Sequence, residues 1–160
     1  MRTGTQGTGA ADPRVVGFVC DWAVATAEIA DAAGRLRAFP SVVLIRVPCS
    51  GFIRPAWLED ALRAGADGVF VVGCPYGDCL NREGNYLMRE RIEQLQRRLQ
   101  RRKIEPERLV MLAHGLHDRE AFLAAVAALL RSLRRLAGSG TVASAEPAPT
   151  ATAPVEGGER

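Results

Sequence analysis

No stretch of this 160-residue chain approaches the roughly 18 uncharged apolar residues that a membrane-spanning helix needs, so no membrane span is expected. The opening MRTGTQGTGAADP is polar and rich in Gly and Thr. It lacks the apolar core of a secretory signal, which points to a cytoplasmic location. Also missing are a G-x-G-x-x-G fingerprint, a P-loop, a nucleophile motif and a C-x-x-C redox pair. These absences argue against an enzyme that works alone. Lysine is nearly absent: Lys103 is the only one, and arginine carries almost all the positive charge behind a net of +3. The most basic stretch, Arg89 to Lys103, has neither the aromatic interleaving nor the motif of a nucleic-acid binder. It sits against an apolar stripe of Leu87, Ile92, Leu95 and Leu99, so a solvated helix face is the default and docking to an acidic partner the alternative.

What remains is enough apolar material, 48% of residues, for one domain with a sizeable core. Residues 1–13 and the Pro/Ala/Thr-rich tail 138–160 show no periodic apolar positions and are expected to be disordered. The folded unit is expected over 14–137. Within it, short β-branched runs at 14–20, 41–47, 67–74 and 108–115 have the length and apolarity of strands buried on both faces. Helical patterns fill the intervals at 22–37, 55–65, 84–103 and 118–137. Four strand-helix units predict an α/β fold: an open, mainly parallel four-stranded sheet with helices on both faces, a flavodoxin-like or Rossmann-like three-layer sandwich.

That architecture gives the four cysteines a common address. Cys20 ends the first strand, Cys49 follows the second by two residues, Cys74 ends the third, and Cys79 lies in the turn GCPYGDCL just beyond. All four fall at the carboxyl edge of the sheet, where open α/β sheets bind ligands. The spacing C-x28-C-x24-C-x4-C matches neither zinc knuckles nor the plant-type ferredoxin pattern. Four thiolates still suit either a 2Fe-2S cluster or an all-cysteine zinc site. Simple burial of small apolar side chains is a third account, and a reversible Cys74–Cys79 disulfide a fourth. Gly51 and Gly77 would let backbone approach a cluster, although ordinary turn chemistry explains a glycine equally well.

The blocks FVCDWA, RVPCSG, ADGVFVVGCPYGDCL and EGNY, followed by IEPERL, resemble the delta subunit of methyl-viologen-reducing hydrogenase. This iron-sulfur family also occurs fused to or associated with heterodisulfide-reductase-like proteins. The resemblance spans about residues 14–136. It implies a 2Fe-2S cluster on Cys20, Cys49, Cys74 and Cys79. It also implies electron transfer from a hydrogenase or formate dehydrogenase to a flavin-containing heterodisulfide-reductase-like protein, or the reverse. One position departs from the family pattern: where a second cysteine commonly follows as C-x-W-C, this chain reads Cys20-Asp21-Trp22-Ala23. Histidines common in and after the C-x4-C turn are replaced by Tyr76 and by Leu80-Asn81.

Several neighbours of the cysteines are candidates for a supporting role. Trp22 and Trp57, each placed in the first turn of an expected helix, could shield a cluster, form a docking face or simply pack in the core. Arg46, Arg54 and Arg82 could offset cluster charge or meet a partner, or stand in solvent. Asp21 and Asp78 fit turn and cap roles better than proximity to anionic sulfur. His114 ends the fourth strand and is expected to be structural.

Overall fold

The computed structural model describes residues 11–139. Residues 1–10 and 140–160, most of the two terminal segments expected to be disordered, lie outside the described residues. Five strands form one sheet: β1 (Val15–Cys20), β2 (Arg35–Leu36), β3 (Phe39–Val47), β4 (Gly68–Gly73) and β5 (Leu109–Ala113). Three α-helices pack on it, α1 (Pro55–Arg63), α2 (Gly84–Arg101) and α3 (Arg119–Gly138). The spatial order is β2-β3-β1-β4-β5. The last four strands in that order run parallel, and β2 is an antiparallel edge strand on β3.

Continuous apolarity of the central strands has a direct cause. β1 is paired on both sides, by β3 and β4, and β4 is buried at all six positions. Side chains pointing either way therefore meet a helix or loop layer. On one face Phe18, Val69 and Val71 pack with Leu58 and Leu62 of α1 and with Met88, Ile92, Leu95 and Leu99 of α2. The buried stripe of α2 starts at Met88 rather than at the expected Leu87, which is 42% exposed; the spacing 88, 92, 95, 99 follows one helical face. On the other face Val15, Val19, Phe70 and Val72 pack with Phe122, Val126, Leu129 and Leu133 of α3. Gly17 makes room there: a Cβ on it would overlap the ring of Phe70.

The helix expected over 22–37 does not form, and Trp22 therefore lies in no helix. In its place the chain makes successive turns and then β2, which brings the strand count to five. Alanine-rich composition favours helix by only a few tenths of a kcal/mol per residue, a preference that tertiary pairing overrides. The Asp31 carboxylate accepts the amides of Ala33 and Arg35 at 2.9 and 2.8 Å, a local bond that competes with helix. Gly34, at φ +76, turns the chain back, and its carbonyl accepts the Leu44 amide at 2.7 Å. Ala23, Val24, Ile29 and Leu36 are buried against the α3 face, so the segment satisfies the same apolar demand without helix.

Connections leave β1 toward the α3 face, whereas those after β3 and β4 run as α1 and α2 on the opposite face. In chain order the four parallel strands are arranged second, first, third, fourth, the start of the flavodoxin-like order. Its switch point falls between β1 and β4, and the carboxyl edge at such a point is where open α/β sheets bind ligands.

Gly34→Ala separates the hairpin from a helix by sign. In a helix this change would stabilise by about 1 kcal/mol. Here φ is left-handed and a Cβ would stand 2.6 Å from the Leu44 carbonyl oxygen, so a loss of roughly 1–3 kcal/mol is expected in urea unfolding.

Candidate metal centre

The carboxyl edge collects all four cysteines. Cys20 is the last residue of β1, and Cys74 follows β4 directly, so the pairing of these adjacent parallel strands fixes their separation. Their sulfurs stand 3.9 Å apart, both buried. Cys49 precedes a 3-10 turn, Ser50–Phe52, that follows β3. Cys79 lies in the turn before α2 and is half-buried. Cys49 and Cys79 stand on either side of Gly84, where a Cβ would meet both of their sulfurs. Four thiols thus meet as two pairs, Cys20 with Cys74 and Cys49 with Cys79. Among the described residues, no three His, Cys, Asp or Glu side chains are drawn together as a site for a single ion requires.

Two glycines make the second pair possible. A Cβ on Gly51 would come within 2.9 Å of the Gly84 Cα, so the turn after Cys49 and the start of α2 touch backbone to backbone. A Cβ on Gly84 would collide with the Cys49 sulfur and stand 3.4 Å from that of Cys79. Between them the pair leaves a cradle that any side chain would fill. Gly77 differs: its φ is +95 and nothing lies within 4 Å of where a Cβ would be, so turn geometry accounts for it.

The first turn of α2 points free amides outward, as every helix N-terminus does. Those of Asn85 and Gly84, together with the Asn81 amide from the preceding turn, act on the Cys79 sulfur. Burial pushes the Cys79 thiol up, but these amides and the Cys49 thiol outweigh it, and its pKa falls below the ordinary cysteine value. The other pair has the opposite environment. Burial, reinforced by Cys20 as neighbour and hydrogen-bond partner and by Cys79, pushes the Cys74 thiol up to about 12 against the pull of the Leu80 amide. Cys49 is also raised: burial dominates, the Gly51 amide and Asn81 side chain oppose it, and Cys20 and Cys79 add to it. Carbonyl oxygens sit near the inner pair, Pro48 at 3.9 Å from Cys20 and Trp22 at 3.5 Å from Cys74.

Asn85 holds the cysteine turn in shape. It is fully buried and donates through Nδ2 to the carbonyls of Cys74 and Pro75, both at 3.0 Å. Neither Gly84, Asn85 nor Asn81 was singled out as a site residue by sequence; the block EGNY, which contains the first two, was their available signal. Ala23 is fully buried in the same apolar cluster as Cys20 and Cys74.

The remaining candidates take varied places. Trp22 is 51% exposed and contributes only its carbonyl to the site. Trp57, third residue of α1, stacks on Phe18 with centroids 6.5 Å apart. Tyr76 and Tyr86 pack at 5.1 Å, and the Arg89 guanidinium lies 5.0 and 5.7 Å from their centroids. Arg46 pairs with Asp21 at 2.8 Å. Arg54 is the exposed N-cap residue of α1, and Asp78 and Arg82 are exposed in the cysteine turn. His114 packs its ring edge-on against Phe122.

Paired thiols beside a helix N-terminus, at the switch point of an open parallel sheet, define an α/β domain with a cysteine-lined carboxyl edge. The family model of methyl-viologen-reducing hydrogenase, delta subunit, matches residues 15–137, and the chain belongs to that family. Among its relatives is an F420-non-reducing hydrogenase iron-sulfur subunit of Archaeoglobus profundus. It is 45% identical over 100 residues, 61% of this chain and 72% of the relative. The F420-non-reducing hydrogenase vhc iron-sulfur subunit of Methanococcus voltae is 40% identical over 99 residues, 62% and 69% of the two chains. A ferredoxin:CoB-CoM heterodisulfide reductase subunit of Methanosarcina mazei is 28% identical over 129 residues, 81% of this chain but 16% of that much longer protein.

In the metal-free chain, alkylation at neutral pH is expected first at Cys79 and last at Cys74, as read by peptide mass mapping; Cys74 reacting first would contradict the geometry. A raised thiol pKa also makes stability depend on pH. Below the unfolded value of about 8.5 both states keep the Cys74 proton. Above it only the folded state does, so stability falls as pH climbs toward about 12. Thermal melts of the metal-free wild type should therefore fall more steeply with pH above about 8.5 than those of Cys74→Ala, and parallel curves would count against the shift.

Proposed function

We propose that this chain is an electron-transfer subunit that holds a 2Fe-2S cluster on Cys20, Cys49, Cys74 and Cys79. It relays single electrons in the cytoplasm between a hydrogenase or formate dehydrogenase and a flavin-containing, heterodisulfide-reductase-like partner. The observation that carries this reading is the division of four thiols into two pairs at one sheet edge. A cluster of two irons, each taking two cysteines, has that donor division. The names of the relatives, iron-sulfur subunits of hydrogenases and a heterodisulfide reductase subunit, support it further.

The donor set fits the group in other respects. Thiolates are the ligands such clusters take, and the cradle at Gly51 and Gly84 lets amides reach the sulfurs closely. When bound, the cluster supplies one-electron chemistry. The chain itself does the rest. Burial of Cys20 and Cys74 keeps water from the inner side, while Cys79 lies near the surface, where a partner can approach. Around that edge Trp22, Phe52, Tyr76, Leu80 and Tyr86 are all exposed, an apolar rim suited to contact with another protein. No helix among the described residues is long and apolar enough to cross a membrane.

Protein prepared without oxygen should carry about two irons and two acid-labile sulfides per chain and give an EPR signal from one unpaired electron after dithionite. Cys74→Ala and Cys49→Ala should each lose the visible absorption. About one zinc per chain with no iron would overturn the relay and leave an all-cysteine structural site.

A further inference from the structure

The two thiol pairs are held by separate devices. Register between β1 and β4 sets Cys20 beside Cys74, while the contact of Gly51 with Gly84 sets Cys49 beside Cys79. Both devices leave the spacing between the pairs to the seating of α2 against the end of β4. At that junction lies a fully buried polar side chain, Asn85, the second residue of α2. Its Cβ is 3.4 Å from the point a Cβ on Gly73 would occupy, and the Ser50 hydroxyl is 3.2 Å from the same point. The end of β4, the turn after Cys49 and the first turn of α2 therefore converge on this residue.

Three backbone groups surround the Asn85 carboxamide. Nδ2 donates to the carbonyls of Cys74 and Pro75, both at 3.0 Å, and Oδ1 accepts the Tyr86 amide at 2.9 Å. Two acceptors and one donor leave the group a single way round, and leucine matches its branching without either kind of partner. The Pro75 carbonyl also accepts the Asp78 amide at 3.0 Å, which closes the turn leading to Cys79. Asn85 thus grips the backbone of the inner ligand Cys74 and the turn that follows it, and its own main chain continues from Gly84, between the outer sulfurs.

Resting on the iron-sulfur reading above, we propose that Asn85 is a positioning residue that sets the spacing between the two thiol pairs and thereby retains the cluster. A group of two irons, each taking two cysteines, demands a defined spacing between the pairs, and groups that orient the ligands decide how firmly it is held. Packing of Met88 and Ile92 seats α2 on the sheet, but apolar contact is non-directional and does not supply the same constraint. The two hydrogen bonds from Nδ2 do.

Anaerobic loss of iron to excess bathophenanthroline tests this on the full, cluster-loaded chain, together with EPR of the dithionite-reduced protein and thermal melts of each metal-free chain. Asn85→Leu keeps the branching without the donors, and Asn85→Ala removes both. Leu99→Ala, about 21 Å further along α2, is the control that weakens the core away from the site. Both Asn85 variants should melt cooperatively without metal, lose iron about tenfold faster than wild type and give a broadened EPR signal. Leu99→Ala should melt earlier yet lose iron at the wild-type rate. Iron loss from Asn85→Leu within threefold of wild type would overturn the role of the donors, and so would a Leu99→Ala chain that loses iron as fast as the Asn85 variants. Asn85 variants without a cooperative melt would also overturn it, because the residue would then belong to the fold rather than to the site. Each of these results leaves the relay standing, whereas a wild-type chain that takes up no iron would overturn both.

Discussion

At the carboxyl edge two segments from distant parts of the chain meet backbone to backbone, the Ser50–Phe52 turn after β3 and the first residue of α2. Neither Gly51 nor Gly84 tolerates a Cβ at that contact, and the Cys49 sulfur occupies the space a side chain on Gly84 would need. The rest of the site follows from this approach. β3 and β4 are not neighbours, since β1 lies between them, so sheet pairing alone does not bring the loop after one to the loop after the other. Contact above the end of β1 does, and it sets Cys49 and Cys79 beside the pair that β1 and β4 hold by their own register.

The arrangement carries an energetic tension. Sheet pairing forces Cys20 and Cys74 together in a buried place, where ionising the Cys74 thiol is unfavourable because of desolvation and the neighbouring sulfur. At the outer pair, helix amides offset burial at Cys79. A metal-free site of this kind resists the charged form on one side and accepts it on the other. In the proposed cluster-bound state that balance would reverse for all four sulfurs, because a coordinating thiol is deprotonated outright. Under that proposal, ligand binding and stability of this edge would be coupled, as in other thiolate sites.

Much of this was legible in the residues. The valine-rich runs at β1, β3, β4 and β5 could belong only to strands buried on both faces, and their alternation with amphipathic helices implied parallel pairing. Placement of the four cysteines at strand ends followed from the same pattern. The segment 22–37 was not legible in that way. Its alanines satisfy helix propensity, and the determinants that win are a local carboxylate turn at Asp31 and the pairing of Arg35 and Leu36, as edge strand β2, with β3. The switch from Leu87 to Met88 on α2 has a similar origin: adjacent apolar residues fit either stripe, and packing against the sheet chooses. Gly84 is hidden because its role is a distance between segments far apart in sequence, whereas Gly51 is legible as a residue that permits close approach.

The central claim is that the four thiols serve one binuclear group rather than one ion or none. X-ray absorption of the protein purified without oxygen tests it most directly, at both the iron and the zinc edge. Iron surrounded by four sulfurs, with a second iron as the next neighbour, is the result this account predicts. Zinc with four sulfurs at about 2.3 Å and no metal neighbour, or iron without a metal neighbour, would contradict it.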